Sequence, residues 1–127
     1  MNTVDVLREA TVMRRAEILR DVRRVVLTDL GAEWEIEEVA RRAATSRRQV
    51  QRAFADAGVT WRDWLCHVRM QHAARLLAEP GSSVRKVAGR VGYRQPSQFA
   101  KAFRRVHGVS PSAFAMSRRP TPQDIAA

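Results

Sequence analysis

The chain has 127 residues, 45% hydrophobic and 28% charged, with 23 Lys and Arg against 13 Asp and Glu for a net charge of +10. That length allows one domain with a modest core or two small ones. One cysteine, Cys66, leaves no disulfide framework or cysteine-rich metal site, no apolar run approaches the ~18 residues of a membrane span, and no signal peptide opens the sequence, so the cytoplasm is the expected compartment.

Residues 1–12 show no strong periodicity and read as an N-terminal arm. Over 13–30, Ala16, Leu19, Val22, Val26 and Leu30 recur at helical spacing, and Gly31 is expected to close that helix. Glu33, Glu35, Glu37 and Glu38 then cluster around a helix start, where the helix dipole favours negative charge; a polymerase-contacting acidic patch is the alternative. The stretch 36–64, IEEVARRAATSRRQVQRAFADAGVTWRDW, predicts a helix through Val39 and Ala40, a turn at Ala44 and a second helix. In that second helix Val50, Ala53, Phe54 and Ala57 are expected to face the core. At 100° per residue, Arg48, Gln51, Arg52 and Ala55 take the opposite side.

Thr60 opens the next helix, about 61–78, with Asp63 three residues on, close to a capping box. One stripe holds Trp61, Trp64, Leu65 and Val68; another, about 140° away, holds Cys66, Met70, Ala73 and Leu77. A helix apolar on two sides is buried between two partners, so this one is expected to connect two lobes. The tryptophans and Cys66 read as core, and His67 and His72, five apart, do not share a metal-binding face. The run Glu79-Pro80-Gly81-Ser82 stops the connector, and Ser83 can cap the next helix.

Residues 83–114, SVRKVAGRVGYRQPSQFAKAFRRVHGVSPSAF, repeat the earlier pattern. Val84, Val87, Ala88 and Val91 share a face, Gly92 turns the chain, and Phe99, Phe103 and Val106 form the next apolar stripe, opposite Ser97, Lys101 and Arg104. Val39-Ala40 matches Val87-Ala88, Ala44 matches Gly92, Val50 and Phe54 match Phe99 and Phe103, and Gly58-Val59-Thr60 matches Gly108-Val109-Ser110. The ordered series is a duplicated helix-turn-helix. Ser110 and Pro111 then start a final helix to about residue 116. Residues 117–127 are expected to be a disordered tail, with Arg118 and Arg119 available to phosphates.

Charge is placed over the duplication. Through Glu38 there are six Arg against nine Asp and Glu; from Val39 to Arg119 there are seventeen Lys and Arg against three acids. Such concentration suits a polyphosphate partner, with plain solvated helix surface as the alternative. In a DNA major groove Arg reads guanine and Gln reads adenine, which makes Arg48, Gln51 and Arg52 base-contacting candidates, with Ser97 and Lys101 at the equivalent face. Backbone N–H groups at helix starts bind phosphate, so Thr60 and Ser110 are candidate backbone anchors. Arg47, Arg94, Gln95, Gln98 and Arg104 complete that phosphate-contacting set.

GYRQPSQFAKAFRRVHGVSPSAF resembles the signature of the AraC/XylS transcriptional regulators, and RMQHAARLLAEPGSSVRKVA is similar to that family's middle segment. The resemblance spans about 16–114. It departs at Glu35, where a Ser or Thr cap is usual, at Ala44, which replaces the turn glycine, and between Phe54 and Gly58, which is a residue short. It implies an all-α DNA-binding domain over 13–116: lobe one about 13–60, a connecting helix about 61–78 and lobe two about 83–116. Double-stranded promoter DNA is the implied partner, bound by a monomer at two unlike half-sites ~34 Å apart, one helical turn. A connector that does not match this spacing requires DNA bending, at roughly 1–6 kcal/mol. No nucleophile–base pair, cofactor motif, metal set or small-molecule site is evident, so an enzyme is not expected. The alternatives are a helical adaptor for RNA polymerase or another protein, and the DNA-binding part of a larger ligand-responsive regulator.

Overall fold

The computed structural model describes residues 2–118, and among them every regular element is a helix: α1 (Thr3–Leu27), α2 (Ile36–Arg42), α3 (Arg47–Ala57), α4 (Trp61–Leu77), α5 (Val84–Arg90), α6 (Pro96–His107) and α7 (Pro111–Arg118). They form two compact units that divide between Trp64 and Leu65, inside α4.

In the first unit the stretch read as an arm is helical. Asn2 caps it by accepting the Val4 N–H at 3.1 Å, and Leu7, Arg8, Glu9 and Ala10 are good helix formers with no Gly or Pro among them. Its residues as far as Arg14 are all exposed, so no core-facing stripe marked the helix in the sequence. Farther along, Ile18, Val22 and Val26 are buried against α2 and α3, together with Leu30, Val39, Ala40, Val50, Ala53 and Phe54. The helix ends at Leu27, before Gly31, because the Thr28 N–H and hydroxyl both turn back onto the Val25 carbonyl. Ala57, expected in the core, is exposed; α3 stops there and Gly58 turns the chain at φ 72°. Trp61 and Trp64 stack at 5.7 Å and meet the Phe54 ring edge-on at 5.8 and 5.3 Å, which makes these tryptophans packing residues.

In the second unit Val68, Met70, Ala73 and Leu77 of α4 are buried, as are Val87, Ala88, Val91, Phe99 and Phe103. Phe103 packs against His107 at 4.4 Å and Phe114 at 5.4 Å, and His107 Nε2–H donates to the Met70 carbonyl at 2.9 Å. Ser110 accepts the Ala113 N–H at 3.1 Å and Pro111 occupies the first turn of α7, as the sequence predicts. Ser117 and Arg118, assigned to the tail, complete α7, with the Arg118 guanidinium 5.2 Å from the Phe114 ring centre. The rest of that expected tail, Arg119 included, lies outside the described residues.

Candidate nucleic-acid interface

The two motifs turn the same way. In the first, the Ala44 N–H donates to Arg41 O at 3.1 Å and the Thr45 N–H to Ala40 O at 3.0 Å. In the second, the Gly92 N–H donates to Gly89 O at 3.2 Å and the Tyr93 N–H to Ala88 O at 2.9 Å. Both are Schellman turns, which need one left-handed residue: Ala44 takes it at φ 56° and Gly92 at φ 100°. The caps alternate. Glu35 gives α2 no side-chain cap, whereas Ser83 caps α5 by accepting the Lys86 N–H at 3.1 Å. In the second helices the order reverses: Ser46 caps α3, while α6 follows an uncapped Gln95 and starts on Pro96. With 11 residues, α3 is one shorter than α6 with 12, which accounts for the residue missing between Phe54 and Gly58, and the turn that leads into α3 is one residue shorter as well.

Along α3, burial of Val50, Ala53 and Phe54 leaves Arg48, Gln51, Arg52 and Ala55 exposed together on one outer face. Ion pairs hold α3 on both flanks. Arg47 Nη1 lies 2.6 Å from Glu37 Oε1 of α2, and Arg15 of α1 pairs with Asp56. Neither pairing was legible in the sequence, because the partners sit ten and forty-one residues apart, outside any helical repeat. Arg47 therefore already has a carboxylate partner and is not simply presented to a phosphate. Glu38 accepts from Arg41 at 2.6 Å and from Arg42 at 2.8 Å, and these two guanidiniums hold its carboxyl below the usual carboxylate range. Of the four glutamates in the acidic cluster, Glu37 and Glu38 are thus paired with arginines.

Along α6, Ser97, Gln98, Lys101 and Arg104 are exposed and Ala100 is half-buried; Arg94 and Gln95 are exposed just before the helix. Thr60 accepts the Asp63 N–H at 3.1 Å at the start of α4, the role that Ser110 has at α7. Cys66 does not sit in plain apolar packing: its Sγ is 3.6 Å from the Tyr93 hydroxyl and accepts from Arg105 at 3.5 Å. Arg105 itself remains exposed. Among the described residues no three His, Cys, Asp or Glu side chains converge as metal ligands, and no helix is long and apolar enough to cross a membrane.

A pair of helix-turn-helix motifs on an all-α frame defines a class of regulator. Residues 39–117 match the family model for a helix-turn-helix domain, and the chain belongs to that family, in its AraC/XylS branch. It is 36% identical over 83 residues to the HTH-type transcriptional regulator MtrA of Neisseria gonorrhoeae, covering 65% of this chain and 28% of the relative. It is 34% identical over 103 residues to the transcriptional activator NphR of Rhodococcus sp, covering 80% and 31%. The solved DNA-binding domain of AdpA, a global transcriptional factor in complex with a target DNA, is 35% identical, with a TM-score of 0.65, over 84% of this chain and 96% of that one. The chain spans about a third of the length of these curated relatives.

Proposed function

We propose that this chain binds duplex promoter DNA sequence-specifically and regulates transcription initiation, with α3 and α6 each entering a major groove. The reading rests on one observation: two motifs with the same Schellman turn, each exposing a basic polar face on its second helix. One chain fills one asymmetric site, because Arg48, Gln51 and Arg52 on α3 are chemically unlike Ser97 and Lys101 on α6. Its role is binding rather than catalysis, exercised in the cytoplasm, and RNA polymerase is the protein partner that such a regulator would meet there. A titration of a selected duplex against salt tests the reading. With several phosphates neutralised, log K falls linearly with log salt by about 0.9 per contact. Binding indifferent to salt would instead favour the helical adaptor.

A further inference from the structure

The two motifs differ most in charge where their first helices begin. Glu37 and Glu38 of α2 stand where α5 has Arg85 and Lys86, and Arg47, the first residue of α3, stands where α6 has Pro96. Both members of the Glu37–Arg47 ion pair are therefore peculiar to the first motif. The pair spans the turn between that motif's two helices, with 2.6 Å between Arg47 Nη1 and Glu37 Oε1 and both side chains more than half exposed. Arg48, Arg52, Arg85 and Lys86, by contrast, have no carboxylate partner among the described residues. The start of a helix such as α3 is where free amides and the dipole attract a phosphate, yet its cation there is already bound. A guanidinium paired with a carboxylate brings no net charge to a DNA backbone and displaces no counterion from it. Exposed ion pairs add little to stability, so folding alone does not account for this one.

We propose that Glu37 is a positioning residue for DNA binding, one that holds Arg47 off the phosphate backbone so that the first motif depends on its base contacts. The role presupposes the DNA binding proposed for the chain. It agrees with the outer face of α3, where Arg48, Gln51 and Arg52 are left to reach bases. A backbone contact strengthens right and wrong sequences alike. Withholding one therefore lowers binding to every duplex and leaves the ratio between sequences as it is.

Salt titrations of a duplex selected from a random pool, and of an unrelated duplex of equal length, test this role. The variants are Glu37→Gln, Arg47→Ala and the two combined, all at exposed positions, with helix content checked by circular dichroism. Glu37→Gln frees Arg47, so the slope of log K against log salt is expected to steepen by about 0.9, one added phosphate contact, on both duplexes. Counted from ~1 M salt, that contact tightens binding about fourfold at ~0.2 M. Arg47→Ala is expected to keep the wild-type slope, and the double variant to return to it. A wild-type chain whose binding ignores salt overturns the DNA reading and this role with it. Where the wild type does respond to salt, the role alone fails if Glu37→Gln leaves the slope unchanged or Arg47→Ala lowers it. It fails equally if Glu37→Gln steepens the slope when Arg47 is already alanine. A gain confined to the selected duplex would make Arg47 a reader of bases and overturn the role as well.

Discussion

Ala44 is the one residue other than glycine with a positive φ among those described, and it sits where the second motif has Gly92. A left-handed conformation costs an L-residue about 1–2 kcal/mol through the close approach of Cβ and carbonyl oxygen. Glycine removes that cost and adds about 0.4–1 kcal/mol of unfolded-chain entropy. Ala44→Gly is therefore expected to stabilise the protein by roughly 0.5–1 kcal/mol in urea denaturation; a loss of stability would show that the Schellman turn is not the native one. Tyr93 gives a second residue-scale expectation. Burial, reinforced by its contact with Cys66, pushes its hydroxyl up to about 12. Because the folded value lies above the unfolded one of ~10, its stabilising contribution is complete below pH ~10 and is lost as pH rises through the folded value. The chain has one tyrosine, so phenolate absorbance reports this group alone. A midpoint near 10 in the native protein would contradict the buried placement.

At the scale of elements, α3 and α6 occupy equivalent places but carry different chemistry. Arg48, Gln51 and Arg52 can each make two-pronged contacts with bases, whereas Ser97 and Lys101 have less capacity for them. Arg52→Ala or Arg48→Ala is expected to relax preference at one or two base pairs, a loss of about 1–3 kcal/mol of discrimination. Lys101→Ala should weaken all sequences evenly and reduce the salt slope by about one contact. A panel of single-base-pair substitutions decides between them, and the assignment fails if Lys101→Ala alone alters base preference. These outer faces were legible in the sequence because burial of Val50, Ala53, Phe54, Phe99 and Phe103 fixes the rotation of each helix. Ala44 was legible as a departure from glycine, yet its backbone is set by the turn rather than by its own propensity. The first half of α1 was not, because periodicity detects helices packed on a core. The Glu37–Arg47 pair was hidden too, because tertiary contacts leave no local spacing to read.

For the whole molecule, the duplicated motif with unlike faces sets an expected stoichiometry. On a single selected site, light scattering should find one chain per duplex, and two chains on a minimal palindrome would refute it. Both units rest on their own buried aromatic or aliphatic cluster, around Phe54 in one and around Phe99 and Phe103 in the other. The placement of Trp34, Trp61 and Trp64 gives this division a practical consequence, since all three belong to the first unit and none to the second. Tryptophan fluorescence will therefore follow the melting of the first half only, while far-ultraviolet circular dichroism sums both. Coincident transitions would mean that the halves unfold together as one cooperative body. Curves that separate would show that α4 can be helical in one half after the other has come apart.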